Sequence, residues 1–318
     1  MKNLFTISFL LISSLLYSQD EFGECLSKTA ELGAVLRAQV DIEQAETNIR
    51  NQRSSSGAWP SVIIPVVFNI IHSGAAKEGG YYDWRSRQSC EDFINYANDW
   101  FSGGRNSDTQ SNANITFVLA DKDINGDPFD GYRTFNVRGG YTELASYIGG
   151  DGVYVAESSK DIVDITEYEK DYYLNVFIID VNGLLSGWSW VPPLENRGLF
   201  LNSRIYRYRP TTFVHEIGHF LGLYHTFEGY ELCSEALLEQ RCEEQGDLVC
   251  DTGPTINFSQ CTDACGIVDE QPNNFMSYSH TRCDNSTFTD GQIDRMHAVI
   301  QLYFSDMANH GQALYGTN

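Results

Sequence analysis

Residues 212–225 read Thr212-Phe213-Val214-His215-Glu216-Ile217-Gly218-His219-Phe220-Leu221-Gly222-Leu223-Tyr224-His225. On an α-helix, His215 and His219 stand four residues apart, so both imidazoles leave from one face and can share a metal ion. Glu216 lies beside them, close enough to reach a water at that metal without being a ligand. Gly222 matters for its backbone. A residue without Cβ can take the left-handed conformation that ends a helix and turns the chain back, which delivers His225 as a third ligand. Three protein nitrogens and an open fourth position describe a catalytic rather than a structural zinc ion. The competing reading, a core helix with incidental histidines, would bury clustered imidazoles without partners, which is costly. A binding protein that merely retained zinc would have no use for Glu216.

Outward from this stretch the pattern alternates between strands and helices. Ser61-Val62-Ile63-Ile64-Pro65-Val66-Val67-Phe68-Asn69-Ile70-Ile71-His72 is rich in β-branched residues and predicts a buried first strand. A helix is predicted over 86–101, with Phe93, Ile94, Ala97 and Trp100 at core spacing. Further strands are predicted at 114–120, 173–180, 187–191 and 198–202, and the histidine helix over 209–221. Thr289-Asp290-Gly291-Gln292 forms a capping box that opens a last helix running to about Phe304. Asp121-Lys122-Asp123-Ile124-Asn125-Gly126-Asp127 begins like a calcium-binding EF-hand loop. Its twelfth position is Tyr132 instead of a bidentate glutamate, so a plain turn is expected. Residues 20–58 are charged and small, and read as a short helix followed by a flexible linker at Asn51-Gln52-Arg53-Ser54-Ser55-Ser56-Gly57.

The 318 residues are 42% hydrophobic, ample for a core, and carry a formal net charge of −22. That charge argues against nucleic acid and anionic membrane surfaces as partners. Met1-Lys2-Asn3 followed by an apolar run from Leu4 to Leu16 reads as a signal peptide, too short for a spanning segment. The expected organisation is a signal peptide at 1–19, a pro-segment and linker at 20–58, and one catalytic domain at 59–318. The mature protein would be secreted and soluble. Of the eight cysteines, six fall between Cys233 and Cys283, which predicts a disulfide-stapled region. Cys25 and Cys90 lie outside it, and parity favours a disulfide between them.

With these motifs in place, the sequence resembles the metzincin clan of zinc peptidases, whose extended histidine motif is followed by a methionine turn. That turn resembles Asn273-Asn274-Phe275-Met276-Ser277-Tyr278. Within the clan the chain is similar to the pappalysin family. The similarity rests on residues 64–72, Leu223-Tyr224-His225-Thr226-Phe227, Gly246-Asp247, Asp251-Thr252, Asn274-Phe275-Met276 and residues 288–296. It covers about residues 60 to 305, without the accessory modules of large family members.

The resemblance implies an α+β, zincin-like fold. An α/β-like upper lobe of twisted, mostly parallel sheet would carry the active-site helix, above an irregular, disulfide-rich lower lobe. It implies one catalytic Zn2+ on His215, His219 and His225, and Glu216 as the general base that later protonates the leaving amine. Met276 would form an apolar floor beneath the metal, and Tyr278 would donate a hydrogen bond to the developing oxyanion. Gly187, Trp188 and Ser189 resemble the edge strand to which a peptide substrate adds. Protein or peptide substrates and a monomeric enzyme follow. Cys25 lies where pro-segments of this kind place an inhibitory zinc-binding thiolate, so it has two readings, zinc switch or disulfide. A structural Ca2+ near the disulfide-rich loop would take Asp247 and Asp251. The loop after the methionine departs from the family: Ser277, Ser279, His280 and Arg282 replace acidic residues, and Arg282 would favour acidic side chains after the scissile bond.

Overall fold

The computed structural model describes residues 25–28, 32–72, 87–103, 110–136, 163, 166–179, 186–193, 198–202, 210–228, 242, 246–252, 274–278 and 287–316. Strands β1 (Cys25–Lys28), β2 (Val62–His72), β3 (Ile115–Leu119), β4 (Tyr132–Asn136), β5 (Leu174–Ile179), β6 (Gly187–Trp190) and β7 (Leu199–Asn202) form one seven-stranded sheet. Its order is β1-β6-β7-β5-β2-β3, with β4 pairing the second half of β2. All pairings are parallel except β6 with β7. The fold is therefore α+β with a mostly parallel sheet. The inner strands are covered on both faces: every residue of β5 is buried, as their near-continuous apolar sequence requires.

Helices α1 (Leu32–Ser56), α2 (Arg87–Phe101), α3 (Pro210–Phe220), α4 (Asp290–Tyr303) and α5 (Ser305–Tyr315) surround the sheet. Phe213 of α3 meets Phe68 of β2 at 6.1 Å and Phe93 of α2 edge-on at 5.2 Å. This aromatic wedge seats the histidine helix against the sheet. At the start of α4, Gln292 N–H donates to Thr289 Oγ1 while the Gln292 side chain accepts from Thr289 N–H, the expected capping box.

Three expectations need correcting. The stretch read as a flexible linker is the end of α1, which runs 25 residues to Ser56. Ala38, Ile42, Ala45 and Ile49 form its buried face against α4, each isoleucine contributing about 1.5–3 kcal/mol by burial. Arg53 pairs with Asp290 and with Asp294 at 3.1 Å, and Arg50 pairs with Asp294 at 3.3 Å. Long-range ion pairs thus hold a segment whose composition suggested a linker. Second, Cys90 is not disulfide-bonded. It is a buried free thiol in the hydrophobic core, its pKa pushed up to about 12 by burial. Third, β6 is flanked by β1, with Cys25 opposite Gly187 and Lys28 opposite Trp190.

In the cysteine-rich region Cys242 is bonded to Cys250, while Cys233, Cys261, Cys265 and Cys283 lie outside the described residues. The signal-peptide segment 1–19 also lies outside them. Among the described residues no helix is long and apolar enough to cross a membrane. The loop from Asp121 is a plain turn, in which Asp123 Oδ1 accepts from the backbone N–H groups of Asn125 and Asp127.

Candidate active site

His215 and His219 lie on α3, fully buried, with ring centroids 4.7 Å apart. The helix ends where Leu223 N–H donates to Gly218 O at 2.9 Å, and Gly222 takes φ 90°. A Cβ on Gly222 would also fall 2.5 Å from Val299 Cγ2, so both conformation and space call for glycine. The turn swings His225 back until its ring stands 4.6 Å from His219 and 5.4 Å from His215.

The partners of the three rings fix which nitrogens face inward. His215 Nδ1 meets Phe275 O at 2.6 Å, and His219 Nδ1 meets Leu223 O at 2.8 Å. Carbonyl oxygens only accept, so Nδ1 carries the proton in both rings and Nε2 keeps its lone pair. His225 Nδ1 meets Glu228 Oε2 at 3.3 Å, which sets the same tautomer. Ring nitrogens of all three lie within 4.8 Å of one another, and Nε2 of His219 is 3.2 Å from Nε2 of His225. Two nitrogens bound tetrahedrally to one zinc would lie roughly 3.3 Å apart. Lone pairs that close repel unless a cation lies between them, so the donor set fits zinc.

Glu216 is fully buried between α3 and β6. A Cβ on Gly187 would fall 2.7 Å from Glu216 Oε1 and 2.8 Å from Phe200 O, so glycine at 187 lets the strand pass directly over the carboxylate. Trp188, beside it, stacks on Phe200 at 3.9 Å. Beneath the histidines, Met276 is buried, and a Cβ on Gly218 would lie 2.5 Å from its sulfur. The glycine between the two helical histidines therefore permits the close approach of helix and methionine. Tyr278 stands edge-on to His225 at 5.0 Å. Arg282 lies outside the described residues.

Several hydrogen bonds that sequence reasoning did not foresee support the site. Asn274 Oδ1 accepts from Met276 N–H at 2.8 Å, closing the methionine turn, and Asn274 Nδ2 donates to Gln292 Oε1 at 2.8 Å. Gln292 Nε2 donates in turn to Asp247 Oδ2 at 2.7 Å. Burial raises the Asp247 pKa to about 6 despite these hydrogen bonds. Asp251 accepts from Thr289 Oγ1 and Gly291 N–H at 2.7 Å each, holding the start of α4. Gln292 was legible as a cap, but its second bond was not. Arg295, 1% exposed, donates from Nε to Gly222 O at 2.9 Å. It also donates from NH1 to Glu46 Oε1 at 3.1 Å and from NH2 to Gln39 Oε1 at 2.9 Å. The turn that brings in His225 is thus tied to α1. The remaining described histidine side chains are structural: His297 meets Ala113 O at 2.8 Å, and His310 meets Tyr173 Oη at 2.9 Å.

A histidine helix ended by a left-handed glycine, lying under a mostly parallel sheet and over a buried methionine turn, defines a metzincin-type domain. Residues 157–301 match the family model described as pregnancy-associated plasma protein-A. Over those residues the chain is similar to the pappalysin family. It is 32% identical to human pappalysin-1 over 166 residues, which are 45% of this chain and 10% of that protein. It is 39% identical over 100 residues to an extracellular metalloprotease of Colletotrichum graminicola, covering 29% of this chain and 31% of that one. The chain therefore spans under a third of the length of these relatives. In fold it is similar to mature mirolysin of Tannerella forsythia in complex with a cleaved peptide. The TM-score is 0.57 at 21% identity, over 80% of this chain and 98% of that one. A promirolysin variant gives the same TM-score over 85% of this chain and 92% of its own.

Proposed function

We propose that the protein is a secreted, zinc-dependent endopeptidase that acts as a monomer on protein or peptide substrates. The observation that carries this reading is the convergence of three Nε2 lone pairs beside the buried Glu216 carboxylate, directly under β6. Its similarity to the pappalysin family model and to an extracellular metalloprotease supports it. Zinc, when bound, would supply Lewis-acid polarisation of the scissile carbonyl and a more acidic water. Glu216 then accepts a proton from the attacking water and returns it to the amide nitrogen as the C–N bond breaks, so the amine leaves neutral. Tyr278 would donate to the developing oxyanion. Main-chain groups of Gly187, Trp188 and Ser189 would pair with the substrate as an added strand. A structural Ca2+ at Asp247 and Asp251 is a secondary proposal; it would compete with the hydrogen bonds these carboxylates accept.

Casein hydrolysis by processed protein, lost on chelation and restored by added zinc, tests the assignment. Zinc-replete, processed protein that cleaves nothing in a proteome-derived peptide library would defeat it. The same library reads the residue after the scissile bond, where Arg282 would favour aspartate or glutamate.

The full chain would be latent. β1 occupies the outer side of β6, and Cys25 stands opposite Gly187, the residue that covers Glu216. We therefore read Cys25 as the inhibitory zinc ligand of a pro-segment. Activation by cleavage near Arg50 or Arg53 would first require the last turns of α1 to open, because both side chains are held by Asp294. Since Cys90 is free, thiol titration of the denatured, secreted full chain should count two thiols, Cys25 and Cys90. A count of zero would restore the disulfide between them and remove the switch.

A further inference from the structure

The three histidines are held unequally. His215 and His219 sit on a helix, and each donates to a main-chain carbonyl, Phe275 O and Leu223 O. His225 follows a turn, outside any helix. Its ring lies flat against Phe227 at 4.7 Å with 9° between planes, and edge-on to Tyr278 at 5.0 Å. These aromatic contacts set the plane of the imidazole. They do not set which nitrogen faces His219, because a ring flipped about χ2 has nearly the same outline. The contact that tells the two nitrogens apart on this side is Glu228 Oε2, 3.3 Å from His225 Nδ1.

Glu228 is itself placed by its backbone. Its N–H donates to His225 O at 3.1 Å, and its carbonyl accepts from Gly246 N–H at 2.8 Å, so the turn carrying the carboxylate closes onto the histidine it serves. We propose that Glu228 is a positioning residue for the metal, holding His225 with Nε2 toward the other two ligands and lending that ligand negative charge. The proposal rests on the zinc-site reading above. Three neutral imidazoles leave a divalent cation with its full charge, and two of them meet main-chain carbonyls. A carboxylate behind the third brings negative charge to the metal site, and outer partners of this kind typically carry 10- to 100-fold in metal affinity.

Zinc affinity of the full chain, measured by competition against a fluorescent chelator, tests this directly. Glu228→Ala should weaken binding about 10- to 100-fold. Glu228→Gln, whose amide oxygen still accepts from Nδ1–H but carries no charge, should fall between Ala and wild type. The Co2+-loaded Ala variant should show a shifted visible absorption band, reporting a displaced third ligand. The Glu228 side chain is 31% exposed, so the metal-free melting temperatures should agree. If the Ala variant fails to fold, the Gln variant and its cobalt spectrum carry the test. Zinc affinity and cobalt spectrum both unchanged in the Ala variant overturn the proposal while leaving the peptidase reading intact. A wild-type chain that binds no zinc overturns the metal-centre reading itself.

Discussion

Glu216→Gln should lower kcat/KM for a peptide substrate by about a thousandfold, within the 10²–10⁴ range of a lost general acid–base group, while zinc content stays stoichiometric. The amide has the outline of the carboxylate, so it fits beneath Gly187 without moving β6. It cannot accept the proton of the attacking water, which raises the barrier by about 4 kcal/mol at a thousandfold loss. Because the residue is not one of the three converging ligands, metal binding should survive. Steady-state kinetics with parallel metal analysis checks both halves. More than a tenth of wild-type activity in the Gln variant would remove Glu216 as the base, and lost zinc would make it a ligand.

Arg295→Ala should destabilise the full chain by about 3–5 kcal/mol, the usual result of breaking a buried ion pair on one side. The guanidinium is 1% exposed and satisfies Gly222 O, Glu46 and Gln39 together. Burial already raises the Glu46 carboxyl above its ordinary value, against the pull of Arg295. Truncating the arginine removes that pull and leaves a largely buried carboxylate, 14% exposed, without its cation. Denaturant unfolding measures the loss. Replacing both partners by Arg295→Met and Glu46→Leu should recover a good part of it, because no buried charge then remains. A single substitution costing under 1 kcal/mol would show that the tie between α1 and the Gly222 turn contributes little.

Much of the site was legible because its chemistry lies in local spacing. His215 and His219 share a face for helical reasons alone, and Gly222 announces the turn. What failed was decided by distant partners. Ser54-Ser55-Ser56 reads as linker, yet Ser54 Oγ and Ser56 Oγ bond back to Arg50 O and Gln52 O within a continuing helix. The register of that helix is held by Asp290 and Asp294 on α4. β1 is four residues, Cys25-Leu26-Ser27-Lys28, with no strand-like pattern, and exists by pairing with β6. α5 was missed because Phe304 interrupts the run, although its ring stacks on Phe220 of the histidine helix at 4.5 Å. Cysteine parity misled in the same way: Cys90 lies on the buried face of α2, where a thiol serves as a small apolar group.

The Arg295 tie also sets an order of assembly. Its partners at Glu46 and Gln39 lie 249 and 256 residues away in sequence, while Gly222 lies 73 residues before it. Closing such long loops is slow relative to local helix formation. During synthesis the two helical histidines can therefore be in place long before the third, whose turn is secured only once α4 has emerged and met α1. An unfinished chain would hold metal weakly, and the completed three-histidine centre would appear late, after two segments remote in sequence, α1 and α4, have been brought together.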